Sequence, residues 1–263
     1  MKRVIIVLFF LVYLGLVSFA SHIALSTTVA EKVVGDHLRI SVSAVNKGDE
    51  SAYNVRAEIR IGQQKLLAQK VPVLAVNETY QVQQEVKLNY RLPGEYPLIV
   101  TLRYADANLY PFSAVSCQTF LYKTKASPSE ISGTISSVTL DKKGKMKLTL
   151  NNKSGSRTDV SNFWVIPNEL ATKINYRKIK IPPRSARGVI LELDNLSALD
   201  GSAYEIYAVS EYEKDNLHKT NITPGMVKIA GSKNIFGVNR LFLMAAAIIL
   251  ALFFVVAQFS KRP

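Results

Sequence analysis

The sequence predicts an all-β protein built as two tandem antiparallel β-sandwiches, with an N-terminal signal segment and a C-terminal transmembrane helix. Three observations carry this. Apolar residues in the middle of the chain recur with period two, turn residues interrupt them at intervals of about 8 to 15 residues, and the long apolar runs lie at the two ends.

The 263-residue chain holds 33 Lys+Arg against 20 Asp+Glu and is 48% hydrophobic. Much of that hydrophobicity sits in the two ends, MKRVIIVLFFLVYLGLVSFA and LFLMAAAIILALFFVVAQFSKRP. The remaining stretch, Ser21 to Gly231, has ordinary globular composition and room for two domains of about 100 residues each. With one cysteine, Cys117, and three histidines, His22, His37 and His218, the chain cannot build an intramolecular disulfide framework or a Cys/His zinc site.

Residues 1–20 read as a signal peptide. Met1-Lys2-Arg3 is followed by apolar Val4 to Val17 and then by Ser18-Phe19-Ala20, with small residues three and one before a cut after Ala20. The same stretch has the length of a short spanning helix, so an uncleaved anchor is the alternative, and either one exports the body. Residues 235–259 are expected to form the transmembrane helix. Its uncharged part, Leu241 to Ala257 and on to Phe259, amounts to roughly 28 Å of helix. Ser260-Lys261-Arg262-Pro263 then forms a short basic tail. The expectation is a single-pass protein of the cytoplasmic membrane, domains outside the cytoplasm and C-terminus inside.

The first unit, 21–123, shows alternation in Leu38, Ile40, Val42 and Ala44, in Tyr53 through Ile61, in Tyr80, Val82, Val86 and Leu88, and in Tyr96, Leu98, Val100, Leu102 and Tyr104. Asn46-Lys47-Gly48-Asp49, Gly62-Gln63-Gln64 and Leu92-Pro93-Gly94 supply turns. The second unit, 124–231, begins after Ser127-Pro128. In it Val138 to Leu140 and Lys145 to Leu150 are expected to form a hairpin across Asp141-Lys142-Lys143-Gly144. Further strands are expected at 163–166, 174–181, 187–193, 203–212 and 226–229, and helical periodicity is absent between the ends. Short strands at this spacing make antiparallel sandwiches.

The halves also repeat. Gly94-Glu95-Tyr96 with Tyr104 parallels Gly201-Ser202-Ala203-Tyr204 with Tyr212, and Val45 to Gly48 parallels Leu150 to Gly155, at one offset of about 106 to 108 residues. The tyrosine that enters the late strand suits a tyrosine-corner bond to upstream backbone.

Gly35-Asp36, Asn46-Lys47-Gly48, Ala52-Tyr53-Asn54-Val55, Pro93-Gly94-Glu95-Tyr96-Pro97-Leu98 and Tyr104-Ala105-Asp106 together resemble the bacterial and archaeal CARDB-type Ig-like domains of surface and S-layer-associated proteins. The resemblance covers about 90 residues of the first unit. The second unit resembles the family more loosely, with Asn152-Lys153-Ser154-Gly155 in place of the tight turn and no Pro-Gly before Tyr204. It implies extracytoplasmic spacers or adhesion modules without shared catalytic residues.

No phosphate loop, His-Glu-x-x-His, Gly-x-Ser-x-Gly or cysteine pair occurs, so neither an enzyme nor a cofactor is expected. Cys117 alternates with Val115 and Thr119 and is expected to enter the first core, the alternative being an intermolecular disulfide or a reactive thiol. Glu211, Glu213 and Asp215 share a strand face where calcium could bind, although a solvated strand end explains them as well. Sequons start at Asn77, Asn152, Asn195 and Asn221.

Charge points more clearly. Residues 124–190 carry a net +9, residues 191–231 a net −4 and residues 24–123 a net +2. Lys142, Lys143, Lys145, Lys147, Arg177, Lys178, Lys180, Arg184 and Arg187 thus form a candidate basic contact face. Its partner would be anionic lipid or an envelope polymer, against the plain alternative of a solvated face; nucleic acid does not suit an exported chain. A protein partner pairing with an edge strand is the second interaction class.

Overall fold

The computed structural model describes residues 22–231, 234–235, 238–239 and 249. The expected signal segment 1–20 and tail 260–263 lie outside the described residues, as does nearly all of the expected span 235–259. Among the described residues no helix is long and apolar enough to cross a membrane.

The described chain forms strands throughout. In its first half these are β1 (Leu25–Val34), β2 (His37–Asn46), β3 (Ala52–Ile61), β4 (Gln64–Leu67), β5 (Val71–Leu74), β6 (Thr79–Lys87), β7 (Gly94–Ala105) and β8 (Pro111–Tyr122). In its second half they are β9 (Ile131–Ile135), β10 (Val138–Leu140), β11 (Lys143–Asn152), β12 (Thr158–Val165), β13 (Leu170–Ala171), β14 (Tyr176–Ile181), β15 (Ala186–Asn195), β16 (Ala203–Lys214) and β17 (Leu217–Ile229). A short pairing joins Asn234–Ile235 to Val238–Asn239.

The period-two pattern explains the layering. In β2, Leu38, Ile40, Val42 and Ala44 are at most 1% exposed, and they meet the inward residues of β3 and β7 in one cluster. A separate cluster gathers Met146, Leu148 and Leu150 of β11 with Trp164, Ile206, Ala208 and Val227. The main strands of each half are wired alike. β1–β2–β6 faces β3, β5, β7 and β8 in the first, and β9–β11–β15 faces β12, β14, β16 and β17 in the second.

Two expectations need correction. Val138–Leu140 does not form a hairpin with β11. β10 pairs in parallel with β17, while β11 pairs with β9 and β15. The first strand of this sandwich therefore changes sheets between Ile135 and Val138, so the Asp141-Lys142 turn joins two layers rather than two neighbours. The expected strands also leave out β1, β4, β5, β8, β9, β13 and the first parts of β12 and β17. β8 is apolar on two faces because its outer side is covered by the other sandwich, and Pro224-Gly225 interrupts the pattern in β17.

The sandwiches lie side by side and antiparallel to each other. Gly94, where β7 starts, pairs in parallel with His218, where β17 starts, so both strands run toward a common end. There the β7–β8 turn meets the second sandwich through the Tyr110 hydroxyl, which donates to the Ser197 carbonyl at 2.5 Å. Chain direction through the halves is opposite. β1 starts at this end, β8 leaves it, the 123–130 connector crosses at the far end, and β17 returns.

Candidate functional site

The outer faces of the two large sheets meet and form the joint between the sandwiches. Ile99 and Val115 of the first pack with Val165 and Val209 of the second, flanked by Cys117, Phe163, Tyr207 and Ile222. These residues occupy the alternate positions of strands whose other positions fill the two main cores. The strands are therefore apolar on both faces, the mark of a sheet covered on both sides. Arg60 lies over the Phe163 ring at 5.6 Å.

Polar groups close the joint at each end. At the end holding Tyr110, the Glu169 carboxylate is 2% exposed. It accepts from the Ser113 amide and from the Ser113 hydroxyl at 2.6 Å, while the Asn168 amide donates back to that hydroxyl at 2.8 Å. These bonds offset the cost of burying a carboxylate. Burial, with Glu169 nearby, pushes the Tyr104 phenol up to about 12.

At the opposite end, His218 sits against the β7 entry. Its Nδ1 is 2.8 Å from the Glu95 carbonyl, which can only accept, so Nδ1 carries the hydrogen. Thr220 donates to the same carbonyl at 2.7 Å. The imidazole stacks on Tyr96 with centroids 4.1 Å apart, and Tyr96 stacks on Tyr90 at 3.7 Å. His218 Nε2 lies 3.4 Å from Glu211, and Arg91 reaches Glu213 at 3.2 Å. A Cβ on Gly94 would stand 2.2 Å from the His218 carbonyl oxygen, so this close approach demands glycine. The Tyr96 hydroxyl donates to the Leu92 carbonyl at 2.7 Å, a tyrosine corner in the expected place. Burial, then Glu213 and Glu211, push that phenol up to about 12.

The basic face is distributed over two sheets. Lys143, Lys145 and Lys147 project outward from β11 while Met146 and Leu148 are fully buried. Two of the three meet acids across the β11–β15 ladder: Lys145 reaches Glu192 at 2.8 Å and Lys143 reaches Asp194 at 3.5 Å. Lys147 stands opposite exposed Ile190. The Lys145 ammonium holds the Glu192 carboxyl below its usual range. Arg177, Lys178 and Lys180 lie on β14, which belongs to the opposite sheet, not to that of β11. Lys142 is in the turn before β11, at the end of the molecule holding Tyr110, whereas Arg184 and Arg187 lie at the other end, in and after the β14–β15 turn. Pairing thus breaks the linear cluster of cations into an interleaved strip on β11 and a separate edge on β14.

The other candidates settle individually. Glu211 and Glu213 are engaged by His218 and Arg91, and among the described residues no group of three or more His, Cys, Asp or Glu could hold a metal ion. Cys117 is not in the first core. It packs on the joint from the outer face of β8, and burial pushes its thiol up to about 12. Asn152 is buried and its amide donates to the Ser156, Ile181 and Pro182 carbonyls, so this sequon is closed in the folded protein. The role of the joint escaped the sequence reading. The signal that could have found it is the continuous apolar run Tyr96 to Val100, buried on both faces.

The fold defines the class: a pair of Ig-like sandwiches packed through the outer faces of their larger sheets. The first sandwich carries a CARDB domain, because the CARDB family model matches residues 22–107. No curated protein matches the chain. Among solved structures, native Escherichia coli α2-macroglobulin is similar over 80% of this chain and 17% of its own, at 8% identity and a TM-score of 0.34. Red sea bream transglutaminase is similar over 78% of this chain and 31% of its own, at 11% identity and a TM-score of 0.28. The seventh ScaB type I cohesin of Pseudobacteroides cellulosolvens is similar over 40% of this chain and 95% of its own, at 8% identity and a TM-score of 0.25. The chain thus spans under a third of the length of the first two, and none of the three bears on what it does.

Proposed function

We propose that this is a non-enzymatic, membrane-anchored protein of the cell envelope that presents its paired Ig-like domains outside the cytoplasm for interaction or spacing. The observation that carries this reading is the CARDB match over residues 22–107, in a chain whose flanking segments are apolar enough to direct export and to span a bilayer. The joint adds a mechanical consequence. With an apolar seam and polar closures at both ends, the sandwiches move as one body, and a 12-residue strand such as β7 makes that body about 40 Å long. Protease added outside intact spheroplasts should digest the domains and leave a small protected C-terminal fragment. Full protection of the domains would overturn the orientation, and sequencing the mature N-terminus separates a cut after Ala20 from an uncleaved anchor.

A second reading, an envelope assembly factor that pairs with a client strand, is favoured by the open edges of the molecule. β6 pairs with β2 alone and β14 with β12 alone among the described strands. Co-purification of a client from detergent-solubilised membranes, lost when proline replaces Lys178 on β14, supports it; retention of the client in that variant counts against β14 as the docking edge. Anionic lipid or envelope polymer remains the proposed partner of the basic residues. Replacing Lys143, Lys145 and Lys147 with glutamate should abolish binding to anionic vesicles; unchanged binding would leave that face as merely solvated.

A further inference from the structure

We infer that the end of the paired body from which both terminal segments leave rests directly on the lipid bilayer, through the side chains of Leu109, Leu196 and Leu199. The inference rests on the membrane-anchored reading above and adds which surface faces the lipid.

The chain path brings the two ends of the 22–231 body together. The His22 amide donates to the Asp49 carboxylate at 2.6 Å, in the β2–β3 turn. At the other terminus the Ile229 and Ala230 amides donate to the Ser202 and Leu140 carbonyls. His22 and Ile23 line one shallow cleft with Leu199, Ser202, Ala203 and Tyr204. The apolar stretch before Ser21 and the apolar run beginning at Leu241 therefore issue from the same end of the body. Nine residues separate Gly231 from Leu241, at most about 32 Å of extended chain.

The surface at that end is unlike the opposite one. Leu109 at the tip of the β7–β8 turn is 66% exposed, and Leu196 and Leu199, in the β15–β16 loop, are 65% and 46% exposed. The loops are bound to each other through Tyr110 and Ser197, so the three leucines form one rim rather than scattered tips. A fixed loop that holds leucines in water has no folding reason to do so, and one held beside a bilayer has an occupant for them. The far end exposes Val34 at 45% and Leu121 at 36%, set among three ion pairs, Asp36 with Lys123, Lys214 with Glu130 and Arg91 with Glu213. Around the leucine rim Asp141 and Asp200 accompany exposed Lys142 and Lys228, so the contact does not require anionic headgroups. That separates it from the basic strip on β11.

The test uses the full-length protein reconstituted into phosphatidylcholine vesicles, carrying a bimane probe on one introduced cysteine in a Cys117→Ser background. Leu109→Cys, Leu196→Cys and Leu199→Cys report the rim, and Val34→Cys and Leu121→Cys report the far end. With spin-labelled phosphatidylcholine in the bilayer, rim probes should lose at least half of their fluorescence and far-end probes should be unchanged. Three independent rim positions keep the test valid if one variant misfolds. Protein that floats with the vesicles while rim and far-end probes respond alike overturns this inference and leaves the anchoring intact. Protein that does not float with the vesicles overturns the anchoring and this inference together.

Discussion

Asn46 at the end of β2 and Asn152 at the end of β11 make the same bracket in the two sandwiches. Asn46 donates to the Glu50 carbonyl at 2.7 Å and to that of Leu74 at 3.2 Å, and its side-chain oxygen accepts from the Gly48 amide. Asn152 donates to Ser156, Ile181 and Pro182 and accepts from the Ser154 amide. In each case one buried amide ties the turn after the strand to the strand on the opposing sheet. The same side chain thus does this at the corresponding place in both units, with Ser154 standing where the first unit has Gly48.

Replacing either asparagine with alanine strands buried carbonyls and a turn amide. Each variant should lose about 2–3 kcal/mol in urea unfolding of the 22–231 body, since an unmet buried polar group costs about 1–3 kcal/mol. A loss below about 0.5 kcal/mol at both positions would show that the bracket does not hold the turns.

The joint predicts shared cooperativity. Val209 is fully buried in it, so Val209→Lys places an unpaired cation between the sheets. Calorimetry should show the single transition of the 22–231 body splitting in two. If the variant still melts as one unit near the parent temperature, the seam does not couple the halves.

Cys117 gives an independent readout. Its folded thiol is raised from 9.0 to about 12 by burial, so the folded state favours the neutral form. Stability from this group is fully present below pH 9 and falls as pH rises from 9 toward 12. At pH 8 the native protein should resist a maleimide that labels the urea-unfolded chain within minutes, and Val209→Lys should restore labelling without denaturant. Rapid labelling of the native parent would mean that the sheets are not closed over the thiol.

Gly94→Ala tests the far closure. Its Cβ would collide with the His218 carbonyl oxygen, and overpacking of this kind costs about 1–3 kcal/mol. Tyr96→Phe, which removes only the bond to the Leu92 carbonyl, should cost about 1 kcal/mol. Equal and negligible effects in thermal melts would show that the β17–β7 approach is slack.

Acid should loosen the crossing between the halves. Asp36 is lowered from 3.8 chiefly by its bond to Lys123, and it also accepts from the Tyr122 hydroxyl at 3.0 Å. The depressed acid contributes stability above its unfolded value, and that contribution is lost as pH falls from about 4 through the folded value. Asp36→Asn should flatten the stability profile below pH 4 relative to the parent; superimposable acid limbs would show that this tie adds nothing.

The all-β class, the tyrosine corner at Tyr96 and the CARDB resemblance were legible because each depends on neighbours within a strand or turn. Alternation in β2 marks a buried face whichever sheet lies opposite, and Tyr96 reaches backbone only four residues upstream. The shift of β10 to β17, the division of the basic residues between β11 and β14, and the place of Cys117 were not legible, because strand pairing is a relation between distant segments.

Local periodicity by itself therefore determined two sandwich cores, their repeated turns and the apolar segments that flank them. Only the tertiary structure decided that the sandwiches pack antiparallel through their outer faces, which buries Val209 and Glu169 and gathers both ends of the body beside Leu109, Leu196 and Leu199. The physical reason is that period two says which side of a strand is apolar and nothing about what covers it. In β7 and β8 the second apolar face is answered by a surface encoded roughly a hundred residues later.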